Sequence, residues 1–325
     1  MAAPTAMRAA MVIPNWNGAA WLVGCLDAIA AQTRPPDELV VVDGASTDDS
    51  LRILTRHPAA PRVVQLRENL GFGAAANRGI AAVDAEAVAL VNTDVVLADD
   101  WLERATAALA AHPDAAAVAT KMVALDDPGR IDDTGDFLAR DGAAVQRGKF
   151  RRDRGQWDDP GEVWGACAGA ALYRRDPVLE VGGFDERFFM YLEDVDLALR
   201  LRLAGWRCRY EPVVARHAAE GSSGRLSRPL AYWVARNDVL LVVKAFPARW
   251  APLVLYRQAA YAWHAARKRR LKPHLRGLAA AVRLLPVMLR ERSRLRRSAR
   301  VPIEEAVPAR PIRGPRALGH PRSGP

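Results

Sequence analysis

Residues 38–56, ELVVVDGASTDDSLRILTR, carry the pattern that decides the fold. Glu38 to Val42 is almost wholly apolar, which suits a parallel strand covered on both faces. The run stops at Asp43-Gly44-Ala45-Ser46-Thr47-Asp48-Asp49-Ser50, rich in turn and cap residues, and a helix pattern follows from Leu51 to Arg56. The same unit recurs on both sides. Upstream, a strand from Ala9 to Ile13 meets Pro14 and the loop Asn15-Trp16-Asn17-Gly18. A helix pattern then runs from Ala19 to Gln32, with Trp21, Leu22, Cys25, Leu26 and Ile29 on one face. Downstream come a strand from Arg62 to Leu66, a helix from about Gly73 to Val83, and a strand from Ala87 to Val91 that stops at Asn92-Thr93-Asp94. A helix from Trp101 to Ala111 leads to a strand from Ala115 to Ala119. Strands and helices at this spacing imply right-handed βαβ units. The expected fold is α/β, a mostly parallel central sheet flanked by helices. Ligands of such sheets bind beyond the carboxyl ends of the strands, where Asn15, Asp43 to Asp48, Asn69 and Asp94 collect.

Past Met122 the pattern dissolves into Asp, Gly and Arg up to Gly161, an excursion with room for a hairpin. Val163 to Tyr173, with its small residues WGACAGAALY, suits a strand packed close to another backbone or a ligand. Residues 182–206, GGFDERFFMYLEDVDLALRLRLAGW, place Glu193, Asp194 and Asp196 beside an aromatic run and open an amphipathic helix. Acids at a helix N-terminus are stabilised by the dipole in any case. Acids beside aromatics are also how a carboxylate is tuned for general base chemistry. A strand from Arg209 to Arg216 ends at His217, and beyond Ser227 the chain reads as helical. From Val301 Pro, Arg and Gly dominate, so 301–325 is expected to be a disordered tail.

The 325 residues are half apolar and carry a formal charge of +10. Between Arg267 and Arg300 stand thirteen Lys/Arg and one acid, Glu291. That asymmetry points to an anionic surface as partner. Cys25, Cys167 and Cys208 are widely spaced and odd in number, which favours free thiols over a disulfide framework or zinc site. No signal-peptide pattern and no apolar run of membrane-spanning length is visible. The expected place is the cytoplasm, peripheral at the inner face of the membrane.

Several residues suggest chemistry by themselves. Asp94, at a strand end, can reach a divalent cation that neutralises a diphosphate; Mg²⁺ and Mn²⁺ need few protein carboxylates. A helix-capping turn residue is the plain alternative. Asp43 can accept hydrogen bonds from a base or ribose, or simply form an Asx-turn. Gly71-Phe72-Gly73-Ala74-Ala75-Ala76 mimics a dinucleotide fingerprint but follows the third strand rather than the first, which argues against a nicotinamide site. His217, before Gly221-Ser222-Ser223-Gly224, is a third metal-ligand candidate beside the acids.

Taken in order, IPNWNG, VVDGASTDDS, ENLGFGAAANRGI, NTDV, WGACAGAALYRR, GGFDERFFMYLEDVDLALRLRLAGW and RHAAEGSSG resemble glycosyltransferase family 2, in its bacterial rhamnosyltransferase-like branch. The resemblance covers about Met11 to Gly224. It implies a GT-A fold over residues 1–225, with a nucleotide-binding half (1–120) and an acceptor half (121–225), followed by a basic amphipathic helical region (226–300). It implies an inverting, metal-dependent sugar transferase with a dTDP or UDP sugar as donor and rhamnose as the sugar the branch suggests. The acceptor would be a glycan or lipid-linked glycan of a cell-surface polysaccharide, and the cofactor Mg²⁺ or Mn²⁺. Carried over, Pro14, Asn15, Asp43, Asn69 and Gly71 lie at the nucleotide. Asp94 and His217 bind the metal, with Asn92 where the family's metal motif has its first acid. Asp194 is the catalytic base, and Trp164, Gly165, Gly169 and Glu193 line the sugar and acceptor pocket.

Two other classes compete. A basic membrane- or nucleic-acid-binding protein with an inert sheet would explain the C-terminal charge, although no nucleic-acid module is visible and none is expected as partner. A nucleotidyltransferase would need no acceptor-facing base such as Asp194. Convergence of Asp43, Asp94, Asp194 and His217 on one cavity separates the main reading from the inert one.

Overall fold

The structure is a computed structural model that describes residues 7–218 and 227–309. The first half follows the alternation read from the sequence: β1 (Ala9–Asn15), α1 (Ala19–Ala30), β2 (Glu38–Asp43), α2 (Ser50–Arg56), β3 (Arg62–Gln65), α3 (Phe72–Ala82) and β4 (Ala87–Val91). β3, β2, β1 and β4 pair in parallel in that order. The apolar runs of β1, β2 and β4 are buried, every residue of β4 included, while β3 at the sheet edge is only half-buried. α3 is rich in small residues because it lies close on the sheet: a side chain at Gly79 would collide with Val12 of β1.

Next come β5 (Val95–Leu97), α4 (Trp101–Ala110), β6 (Ala115–Ala124), β7 (Ile131–Asp133), β8 (Asp136–Leu138), β9 (Ala144–Gln146), β10 (Gly161–Val163), β11 (Ala170–Arg174), α5 (Arg175–Glu180), α6 (Glu193–Leu203) and β12 (Arg207–His217). Here the sheet becomes mixed. β11 inserts antiparallel between β4 and β6, and β12 lies parallel to β6. β5 and β10 add to β12 antiparallel. The excursion from Met122 holds β7, which folds back on β6, and the β8–β9 hairpin. The strand expected from Val163 to Tyr173 is confined to Ala170–Arg174. The small residues before it form an irregular segment against α6, where a side chain at Gly165 would meet Ala198 Cβ at 2.8 Å.

The C-terminal helices are α7 (Arg228–Ala245), α8 (Ala251–Arg267), α9 (Leu271–Val282), α10 (Leu285–Ser298) and α11 (Ile303–Ala306). They share an apolar core with α6, in which Leu240, Leu241, Ala281, Met288, Ala306 and Val307 meet Val195, Leu199 and Leu203. α9 approaches α7 so closely that a side chain at Gly277 would strike the Tyr232 carbonyl. Ions seal the contact with α6. Lys244 Nζ sits 2.7 Å from both Asp185 Oδ2 and Asp196 Oδ1, and Asp196 also pairs with Arg200 at 2.8 Å. The expected disordered tail is corrected for residues 301–309. Ala306 and Val307 are buried, Trp164 Nε1 donates to the Ala306 carbonyl at 2.7 Å, and Arg140 donates to the carbonyls of Glu304 and Val307. Residues 310–325 and Gly221-Ser222-Ser223-Gly224 lie outside the described residues. Among the described residues, no helix is long and apolar enough to cross a membrane.

Candidate active site

A cavity of about 1080 Å³ opens at the carboxyl ends of β1, β2 and β4 and extends to α8. Pro14, Asn15, Asn69, Gly71, Asp94, Gly169, Glu193, Asp194 and His217 all line it. The sequence thus placed most of its candidates on one wall. Three of the four residues chosen to test convergence (Asp94, Asp194 and His217) share the cavity.

Asp43 is the fourth, and its expected contact to base or ribose is corrected. It is 1% exposed, with both oxygens engaged: Oδ1 accepts from Asn15 Nδ2 at 2.7 Å and Ser46 Oγ at 2.6 Å, and Oδ2 from the Ser46 N–H at 3.0 Å. The Asx-turn alternative describes it. Its work here is to orient Asn15, which does face the cavity. Trp164 and Gly165 are corrected likewise. The Trp164 ring is committed to the C-terminal core, Gly165 is a packing glycine, and neither lines the cavity.

Asp94 follows β4, and β12 delivers His217 beside it by pairing with β5. His217 Nε2 lies 3.2 Å from Asp94 Oδ2, and Nδ1 lies 2.8 Å from Asp132 Oδ2. Burial opposes a charge on this imidazole, but Asp132 and Asp94 outweigh it and raise its pKa to about 9. Lys149 Nζ completes the cluster at 3.2 Å from Asp132 Oδ1. Asp132 is held down at about 2: burial works against its charge, and His217 and Lys149 overcome that cost.

Whether these residues suit a divalent cation is a question of donors. Among the described residues no three His, Cys, Asp or Glu side chains form a ready cage. A cation that takes most of its ligands from diphosphate and water needs no cage. Asp94 offers one carboxylate. Asp132 fixes the His217 ring through Nδ1 and aims Nε2 at Asp94, the carboxylate–histidine arrangement that orients metal-ligating imidazoles. The pair fits such a cation, with Asp132 as the orienting partner.

Asp194 stands in the first turn of α6. Its Oδ2 accepts from the Ala168 N–H at 3.3 Å and its Oδ1 from the Val195 N–H at 2.8 Å. Burial pushes this carboxyl above the usual range, against those N–H groups, which favour its charge. Its neighbour Glu193 is buried, with Oε2 unpartnered among the described residues, and burial together with Asp194 carries it to about 8. The loop before α6 is strained: Phe189, Tyr191 and Leu192 have φ of 64°, 67° and 70°. Non-glycine residues in this region cost about 1–3 kcal/mol each and persist where the surroundings impose them. Asn237 of α7 imposes it here. Its Nδ2 donates to the carbonyls of Phe188, Met190 and Tyr191 at 2.9, 2.8 and 2.7 Å. Gly71 seats the loop from the other side, with the Phe72 N–H donating to the Phe189 carbonyl at 2.7 Å.

Sequence reasoning missed Asp132, Asp136, Lys149 and Asn237. The first three lie in the excursion, where no periodicity marks them. Trp16 is on the wall and 56% exposed, and Trp21, read on one helix face with Leu22 and Cys25, is 37% exposed on the same wall.

Comparison with known proteins bears on the family and the fold. The chain is 30% identical over 229 residues to an N-acetylglucosaminyl-diphospho-decaprenol L-rhamnosyltransferase of Mycobacterium tuberculosis, covering 62% of this chain and 72% of the relative. Among solved structures, it is similar to GalNAc-T7 with UDP, GalNAc and Mn²⁺ (TM-score 0.62, 12% identity, 80% of this chain and 52% of that one). It is also similar to the mannosyltransferase PcManGT of Pyrobaculum calidifontis with GDP-Man and Mn²⁺ (TM-score 0.56, 21% identity, 91% and 86%). The architecture is that of the GT-A glycosyltransferases. The pattern of glycosyl transferase family 2 matches residues 10–182, and the chain belongs to that family, with rhamnosyltransferases among its relatives.

Proposed function

We propose that the protein moves a sugar from a nucleotide-diphosphate donor to a hydroxyl of a lipid-linked glycan, inverting the anomeric carbon, during assembly of a cell-surface polysaccharide. The observation that carries this reading is the shared cavity, in which the Asp94–His217 pair and the Asp194 carboxylate face one space. Asn15, Asn69 and Gly71 would meet the nucleoside, with the exposed Trp16 ring available to stack on its base. Asp94 and His217 would hold Mg²⁺ or Mn²⁺, which when bound offsets charge on the leaving diphosphate. Asp194 takes the proton of the acceptor hydroxyl as its oxygen bonds to the anomeric carbon, and the bond from that carbon to the diphosphate oxygen breaks. One displacement inverts configuration and needs no covalent intermediate. The relatives' names support a lipid-linked acceptor and rhamnose as the sugar, and UDP is bound in a structural neighbour; dTDP as the alternative carrier and a place at the inner face of the membrane complete the proposal. Donor hydrolysis with thymidine- and uridine-diphosphate sugars, with and without Mn²⁺, tests the reading. Cation-dependent hydrolysis of one donor class is expected. No hydrolysis of any nucleotide sugar, with or without acceptor, would overturn it.

A further inference from the structure

Two adjacent helices keep apolar sides that nothing in the fold covers. On α8, Leu255, Ala259 and Trp263 stand at i, i+4 and i+8 with Tyr256 beside them, opposite the side on which Arg257, Tyr261 and His264 line the cavity. After a tight turn with Arg269 at φ 55°, α9 folds back on α8, and His274 meets Tyr261 with ring centroids 5.6 Å apart. The outer side of α9 carries Leu271, Leu275 and Val282 at i, i+4 and i+11. Lys272, Arg276 and Arg283 repeat that spacing one residue further on. A basic stripe therefore runs beside the apolar one, about 100° round the helix. The six large apolar side chains are between 38 and 68% exposed. No carboxylate among the described residues pairs with Lys272, Arg276 or Arg283.

An exposed apolar area of this kind, rimmed by charge, marks an interaction surface, and the charge decides what fits it. Residues 251–290 hold nine Lys or Arg and no Asp or Glu. A second copy meeting this face about a twofold axis would set bases against bases. Residues 310–325 add four arginines and no acid, so the end of the chain offers no complement either. Nucleic acid supplies negative charge but no hydrocarbon for Leu255, Leu271, Leu275 and Val282. A bilayer with anionic head groups supplies both, and an apolar stripe with flanking bases and Trp or Tyr is what lies in its interface. α10 has the denser charge but not the stripe. Its Arg292 donates to the Val243 carbonyl at 3.0 Å, and its Arg294 pairs with Glu291 at 3.0 Å.

We infer that the outer side of the α8–α9 hairpin, rather than the arginines of α10, is an in-plane docking surface for an anionic lipid bilayer. Because the opposite side of α8 walls the cavity, the docked bilayer lies one helix diameter, about 10–12 Å, from it. The inference rests on the reading above for the place at the membrane, which it assigns to residues of this chain. Flotation of the full chain with phosphatidylglycerol–phosphatidylcholine vesicles tests it, with phosphatidylcholine vesicles and a DNA duplex as comparisons. The wild type is expected to float with the anionic vesicles at low salt and to bind the other two more weakly. The double variant Arg276→Glu, Arg283→Glu should lose about tenfold or more in vesicle affinity, and so should Leu275→Gln, Trp263→Gln. The same charge change on α10, Arg296→Glu with Arg297→Glu, should cost much less. Thermal unfolding confirms that each variant is folded. No flotation of the wild type overturns the inference, as does an equal loss from the α9 and α10 charge pairs, or no loss from the glutamine pair. Tighter binding of the duplex than of the vesicles, or a dimer in solution that the same variants dissociate, also overturns it by giving the surface another occupant. No donor or acceptor enters the measurement, so failure to float leaves the transfer reading standing, and failure of donor hydrolysis leaves the docking result intact.

Discussion

The side-chain amide of Asn237 lies 2.7 Å from the carbonyl of Tyr191 and joins α7 to the strained loop that sets Asp194 in place. Because the same nitrogen also serves Phe188 and Met190, this one buried side chain holds most of the loop. Asn237→Leu keeps the bulk and removes the donor, leaving buried carbonyls unsatisfied at about 1–3 kcal/mol each. The expected result is a kcat reduced ten- to a hundredfold with the donor KM little changed. Steady-state kinetics with donor and acceptor varied separately provide the check, and a kcat within twofold of wild type would remove Asn237 from the account.

Trp16 presents an exposed ring beside Asn15 and Asn17 at the proposed nucleotide end of the cavity. Base–aromatic stacking is worth about 1–3 kcal/mol. Trp16→Ala is expected to weaken nucleoside diphosphate binding by about tenfold or more and Trp16→Phe by much less. Calorimetric titration separates the two, and unchanged affinity in the alanine variant places the base elsewhere.

The C-terminal helices belong to the core of the protein, and Gly277 shows it most directly. Helix propensity alone predicts that Gly277→Ala stabilises α9 by up to about 1 kcal/mol. The close approach to Tyr232 predicts the opposite, a loss of about 1–3 kcal/mol as the helices are forced apart. Thermal unfolding decides, and a raised Tm would mean that α9 does not pack as described.

Glu193 gives a pH dependence with a definite sign. Its folded pKa, about 8, lies above its ordinary value of 4.5. The protonated carboxyl therefore favours the folded state. That contribution is complete below pH 4.5 and declines as the pH rises to about 8. Glu193→Gln removes the titration, so its stability should fall less than that of wild type between pH 5 and pH 8. Denaturant midpoints at the two values test this, and parallel losses in the two proteins would contradict it.

The βα half of the fold was legible because each buried strand is a short apolar run that ends in polar turn residues. Asn15, Asn69 and Asp94 could be placed from that pattern alone. Asp43 was misread because an Asp after a strand looks the same whether it meets a ligand or closes an Asx-turn; only the Asn15 and Ser46 contacts decide. Asp132 and Lys149 were illegible because tertiary folding of β7 and the β8–β9 hairpin, not local periodicity, brings them to His217. Val163 to Gly169 has strand-like composition, but its small residues serve close packing on α6. In the C-terminal third, alternating apolar and basic residues fit both a packed face and an outward one. α9 and α10 bury Ala281 and Met288 in the core shared with α7 but leave Leu275, Val282 and Leu289 exposed, and α8 keeps Leu255, Tyr256 and Trp263 outside.

The claim on which the account turns is that Asp194 is the base. Asp194→Asn keeps the shape and, through its one amide oxygen, one of the two N–H contacts to Ala168 and Val195, but cannot take a proton. The measurement is turnover of the variant beside its affinity for the nucleotide-sugar donor. The account predicts transfer reduced by about 10²–10⁴-fold with donor affinity within a few-fold of wild type. Turnover close to wild type in the asparagine variant would contradict it.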